Sequence, residues 1–240
     1  MGAIWRLIPP FEAPGWQHMA VDAWLLRQCA QGRHPPVLRF YTWSPAALSL
    51  GYHQQHWPPH WHQLQWQGCP LPLVRRPTGG RGVLHQGDLT YAVVCPSPTG
   101  HRRQTYEFIC EFLIRGWQTL GFSLDYGQGG RGYAQQPHCF GTATTADLVL
   151  SNGTKWIGSA QAWSRQTVLQ HGSIRLNPDP HLWQQVFCEP LPPPLDSEIP
   201  HRSEVSSTLT AAAEDWFQVQ FQIQPLSVAE LAATSVGALD

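Results

Sequence analysis

The chain has 240 residues, 42% of them hydrophobic, and a formal net charge of −1 with only 13% charged residues. That length and apolar content suffice for one core, or a core with a small appendage. The near-neutral balance excludes a protein held on nucleic acid by a basic face, and no apolar run is long enough to span a membrane as a helix. The start, MGAIWRLIPPF, has no charged-then-apolar export signal and no Ser or Thr at position 6 for myristoylation, so a cytoplasmic location is expected. Six cysteines, at 29, 69, 95, 110, 139 and 188, form no CxxC pair and read as free thiols.

In GWQHMAVDAWLLRQCAQG, Trp16, Met19, Ala23, Leu26 and Ala30 recur at steps of three and four, which predicts an amphipathic helix closed by Gly32. VLRFYTW and ALSLGY read as strands separated by Ser44-Pro45. In YHQQHWPPHWHQLQW, His56, His60 and His62 match no metal-binding spacing and Pro58-Pro59 interrupts them, so a packed surface segment is expected and no metal. PLPLVRRPTGGRGVLHQGDLTYAVV reads as strand, glycine loop, strand, with Leu89, Tyr91 and Val93 alternating as on a half-buried strand. TYEFICEFLIRGWQTLG places Tyr106, Ile109, Cys110, Leu113, Trp117 and Leu120 on one helical face that ends at Gly121. YGQGGRGYAQQPH reads as a polar glycine loop without the GK[ST] ending of a P-loop.

ADLVLSNGTKWIGSAQAW contains the only lysine in the chain, Lys155; the other fourteen of the 15 Lys and Arg residues are arginines. Asn152-Gly153 predicts a two-residue type I′ hairpin turn. That turn puts Lys155 opposite Leu150 on an exposed strand position, sharing a face with Ile157, Ser159 and Gln161. A lone ammonium is either a compact cation that a site requires or a survivor of a composition bias toward Arg. VLQHGSIRL reads as a strand and DPHLWQQVF as a short helix. EPLPPPLDSEIP, about residues 190–200, is a proline-rich connector to a helix–strand–helix tail in which Ser227 and Glu230 form a capping box. The mixture predicts an α/β or α+β fold with a largely antiparallel sheet packed with helices.

Three pieces carry chemistry. The loop RRPTGGRGVLH offers two arginines and small residues against which a substrate can lie. Cys139, in HCFG, follows a glycine loop, unlike Cys110 on a helix face. Gly158 and Ala160 leave room beside Lys155.

RRPTGGRGVLH, then CF, NGTKWIGSAQ and LQHGSI, in that order, resemble the lipoate–protein ligase and octanoyltransferase family, most closely its cysteine-dependent octanoyl-[acyl carrier protein]:protein N-octanoyltransferases. The similarity extends from WRLI to FQVQFQIQPLSVAEL, nearly the whole chain. It implies the biotin/lipoate protein ligase catalytic-domain fold as a single domain over 1–240. It implies Cys139 as the acyl-accepting nucleophile and Lys155 as the lysine that activates it. Arg75, Arg76, Thr78, Gly79, Gly80, Arg81, Gly82 and His85 match the substrate loop; Gly158, Ser159, Ala160 and His171 match other site-lining positions. The implied donor is octanoyl-acyl carrier protein. The implied acceptors are lipoyl domains of 2-oxoacid dehydrogenase E2 subunits or the glycine-cleavage H protein. No cofactor is implied for transfer; ATP and Mg belong to the alternative, an ATP-dependent lipoate–protein ligase. A non-catalytic acyl-binding protein is a further alternative. Two positions depart from the family pattern: Gln86 stands where Asp is frequent after the motif histidine, and Gly141 where an acid is frequent after Cys-Phe.

Overall fold

The computed structural model describes residues 2–127, 147–192 and 198–236. In chain order its elements are β1 (Ala3–Ala13), α1 (Gly15–Ala30), β2 (Val37–Trp43), β3 (Ala47–Leu50), a 3-10 turn (Pro59–Gln63), β4 (Gln65–Trp66), β5 (Cys69–Pro70), β6 (Leu73–Arg75), β7 (Val83–His85) and β8 (Asp88–Pro96). There follow α2 (Arg102–Thr119), β9 (Leu124–Tyr126), β10 (Asp147–Leu150), β11 (Lys155–Ser164), β12 (Thr167–Arg175), α3 (Pro180–Phe187), α4 (Arg202–Phe217), β13 (Val219–Ile223) and α5 (Val228–Val236).

Eight strands form one sheet in the order β13-β1-β2-β8-β12-β11-β10-β9. The β13–β1 and β1–β2 pairings are parallel and the rest antiparallel, so the sheet is mixed and largely antiparallel as the pattern predicted. On one face α2 and α4 bury Tyr91, Ile157 and Ile174 of the sheet under Ile109, Phe112, Trp117 and Leu209. On the other, α1 packs Leu25 and Val21 over Tyr41, Val94 and Leu169. Each such fully buried side chain contributes about 1.5–3 kcal/mol. A three-stranded sheet, β6-β3-β7, forms a separate lobe whose core includes Trp61, Leu84 and Trp183. The histidine-rich segment becomes the covering of that lobe, and no metal-binding cluster occurs among the described residues.

Two local expectations are corrected, and one feature is new. The α1 helix exists, but Trp16 is 55% exposed while His18 and Asp22 are fully buried. Two polar residues with partners inside turn its buried side away from the purely apolar stripe. The strand β8 is buried on both faces from Asp88 to Cys95, not half-buried, because it sits in mid-sheet with helices on each side. β1, which carries no alternation signal, shifts register between Ile8 and Phe11, where Pro9 and Pro10 sit. The capping box of α5 forms as expected: Ser227 N–H donates to Glu230 and Glu230 N–H to Ser227 Oγ, at 2.7 and 3.2 Å. Glu230 also takes both arms of the buried Arg6, at 2.7 and 3.1 Å, and that guanidinium holds its carboxyl down to about 2.

Candidate active site

The β10–β11 hairpin places the lone lysine, though not as a type I′ turn would. Gly153 alone takes positive φ, at 79°, and its N–H donates to Leu150 O while Leu150 N–H donates to Thr154 O. The loop is therefore longer than two residues, and Lys155 pairs with Val149 rather than Leu150. Beyond it the register shifts: Leu148 faces Ile157 and Asp147 faces Gly158, so Trp156 is an extra residue on β11. A β-bulge of this kind reverses the alternation. Trp156 and Ile157 enter the core under α2. Lys155 turns away from Ile157 and toward the cleft that Gly158, Ser159 and Ala160 line. There it is buried, with 5% of its side chain exposed, and Nζ lies 2.7 Å from Asp147 Oδ1. Gly158 gives it space: a Cβ there would lie 2.8 Å from Lys155 Cε and 3.1 Å from Nζ.

Lys155 lines a partly open cleft between the main sheet and the small lobe. Met19, Tyr41, Trp43 and Val83 supply apolar wall, and Ala160 and Gly172 leave open floor. Two hydroxyl–imidazole–carboxylate chains brace it. Asp22 Oδ2 accepts from His171 Nδ1 and from Tyr41 OH, both at 2.8 Å. With Nδ1 donating, His171 Nε2 accepts the Thr78 hydroxyl at 2.6 Å. In the second chain Asp88 Oδ2 accepts from His85 Nδ1 at 2.8 Å, and His85 Nε2 accepts from Ser49 Oγ at 2.9 Å. Ser173 adds a 2.8 Å donor to Asp88, and Trp43 stacks on His85 with centroids 3.8 Å apart.

Burial, aided by the Arg76 charge, holds His85 below the ordinary imidazole value despite Asp88. Burial would raise Asp22, but Arg39 and the His171 and Tyr41 hydrogen bonds outweigh it and hold the carboxyl below its usual value. His18, buried beside Arg39, falls to about 3 and stays neutral, accepting from Arg39 at 2.8 Å and donating to Thr42 O at 2.9 Å.

The lipoyl protein ligase A/B catalytic-domain model matches residues 14–210. The chain belongs to that family. It is 37% identical over 187 residues to an octanoyltransferase LipM of Kyrpidia tusciae, covering 73% of this chain and 67% of the relative. To the octanoyltransferase LipM of Bacillus subtilis it is 34% identical over 200 residues, covering 78% and 70%. Among solved structures, a Thermoplasma acidophilum lipoate protein ligase with bound lipoic acid superposes with a TM-score of 0.81 at 22% identity, covering 98% of this chain and 94% of that one. A lipoate-protein ligase A bound with ATP gives 0.80 at 21%, covering 99% and 94%. These likenesses identify the fold as that of lipoate–protein ligases, as the resemblance implied.

Within this lipoyl protein ligase A/B chain the expected site residues divide by what they touch. Lys155, Gly158, Ser159, Ala160, His171, Arg76, Gly80 and His85 line the cleft. Thr78 reaches it through His171. Both arginines brace backbone: Arg75 Nη1 donates to the carbonyls of Gly51, Tyr52 and Gln54, and Arg76 to those of Ser49, Gly79 and Arg81. Gly79 and Arg81 thus enter through their carbonyls. Gly82 makes room for the Trp61 ring in the lobe rather than for a ligand. Cys139 and Gly141 lie outside the described residues. Gln86 is explained without the cleft, since its side chain accepts from Asp179 N–H at 2.6 Å at the start of α3. Sequence reading missed Asp147, Asp22, Asp88 and Ser49. A lone acid inside an apolar strand, as in ADLVL, was the available signal for Asp147.

The glycine at 158 yields a direct test. Gly158→Ala is expected to push Lys155 away from Asp147 and lower transfer at least about tenfold. Far-UV circular dichroism should stay unchanged. Full activity in the alanine variant would show that the close approach has no consequence for chemistry.

Proposed function

We propose that the chain is an octanoyltransferase of lipoate assembly, working as one catalytic domain in the cytoplasm. It takes an octanoyl group from acyl carrier protein and gives it to a lysine of a lipoyl domain, in a 2-oxoacid dehydrogenase E2 subunit or the glycine-cleavage H protein. The observation that carries this reading is the lone lysine: Lys155, buried and aimed by Asp147 into a cleft with apolar walls. The names of the relatives agree with it.

The chemistry runs in two balanced steps. The Cys139 thiolate attacks the carrier thioester, its C–S bond forms, and the carrier thiolate leaves and takes up a proton. An acceptor amine then attacks the Cys139 thioester, an amide forms, and the Cys139 thiol is released. The first step exchanges one thioester for another and the second runs downhill to an amide, so no nucleotide, metal or other cofactor takes part. Lys155 supplies the positive charge that favours the thiolate and a donor for the carbonyl oxygen as it gains charge.

The test is transfer from octanoyl-carrier protein to a lipoyl domain without nucleotide, repeated with donors of four to twelve carbons. Each methylene buried in the apolar wall is worth about 0.8 kcal/mol, or about fourfold in kcat/KM. Efficiency should therefore rise stepwise to eight carbons. A flat profile would remove the octanoyl assignment, and activity that needs ATP and free acid would make the protein a ligase.

A further inference from the structure

The longest stretch of the chain without an acidic residue runs from Ala23 to Gly87. Its 65 residues hold six arginines and no Asp or Glu, a formal +6, which leaves −7 for all the others. Part of this stretch forms the lip of the cleft. Gly51 packs against the backbone of Gly80, which lines the cleft, and Tyr52 N–H donates to Thr78 O at 2.8 Å. Arg75 Nη1 holds the carbonyls of Gly51, Tyr52 and Gln54 at 2.8, 3.1 and 2.9 Å. The lip is thus fixed to the glycine loop. Tyr52, His53, Gln55, His56 and Arg75 are exposed on it, and Tyr52 keeps 58% of its surface open to solvent.

The lip itself, residues 51–81, holds three of these arginines, Arg75, Arg76 and Arg81, with Arg76 buried among carbonyls, and no carboxylate; an octanoyl chain is uncharged and gains nothing from that excess. What would gain is the molecule that delivers it: an acidic protein bearing the acyl group on an arm whose root is an anionic phosphodiester. An exposed tyrosine and arginine on a rigid, carboxylate-free lip match such a partner in charge and in contact chemistry. We infer that the lip from Gly51 to Arg81 is the docking surface for the acidic carrier protein that donates the acyl thioester. The inference rests on the transferase reading above.

The test adds charge where the cleft is untouched. His53, Gln55 and His56 are exposed and none lines the cleft, so the triple variant His53→Glu/Gln55→Glu/His56→Glu should keep the wild-type melting temperature. Transfer is measured with octanoyl-carrier protein and with octanoyl-pantetheine, which lacks both protein and phosphate. At low ionic strength KM for the carrier protein should rise at least about tenfold, with kcat/KM for the pantetheine thioester within about twofold of wild type. Added salt should narrow the gap, since exposed charges are screened. Gln55→Arg should lower KM for the carrier protein. Equal losses with both donors, no change with the carrier protein, or a rise confined to KM of the acceptor would each overturn the inference. A wild type inactive with both donors would instead overturn the transferase reading, and the docking assignment with it.

Discussion

Replacing Lys155 by Arg is expected to slow acyl-enzyme formation about a hundred- to a thousandfold, with Lys155→Ala no better. The charge survives the change, so a role as charge alone would leave the rate nearly intact. The geometry argues otherwise. Nζ sits 2.7 Å from Asp147 with 5% of the side chain exposed, and the missing Cβ of Gly158 leaves room for a narrow stem only. A guanidinium is broader and planar, and it holds its own fork geometry. It would either leave Asp147 or occupy the space of the thioester carbonyl. The buried setting also changes the control. An exposed strand position would tolerate Arg without loss of stability; this one will not, so rates must be compared at a temperature where every variant is fully folded. Retention of more than about a third of the wild-type rate would put the difference below about 1 kcal/mol. The lysine would then be a compositional survivor.

Cys139→Ala is expected to abolish the octanoyl adduct that intact-mass measurement finds on the wild type after mixing with octanoyl-carrier protein. Hydroxylamine should remove the wild-type adduct, as it does a thioester. The other cysteines are poor candidates for physical reasons. Burial raises the Cys29 thiol and pushes Cys95 and Cys110 up to about 12, which leaves almost no thiolate near neutral pH. Cys69 and Cys188 are exposed, but neither lines the cleft that holds Lys155. Alanine at Cys29, Cys69 or Cys110 should therefore leave the adduct in place. An adduct that persists in Cys139→Ala would end the covalent mechanism.

Much of the site was legible because its signals are local. The strands VLRFYTW and VLQHGSIRL, the α2 helix with its Gly121 stop, and the Ser227–Glu230 cap depend on periodicity and turn chemistry within a few residues, and these read directly from the chain. The singular Lys155 and the RRPTGGRGVLH loop were legible as composition and motif.

What the chain order alone does not carry is pairing across distance. Alternation put Lys155 with Ile157; only the register against β10, with Trp156 as the extra residue, turns it into the cleft. Asp147 becomes its partner through that same pairing. Asp22 and His171 stand 149 positions apart and meet because α1 lies across β12. Arg75 and Arg76 look like substrate-binding charges in sequence, yet their donors meet the carbonyls of a neighbouring strand and loop. Local propensity decides which elements form; which polar groups are buried together depends on how sheet, helix and lobe close on one another, and that closure sets the chemistry of the cleft.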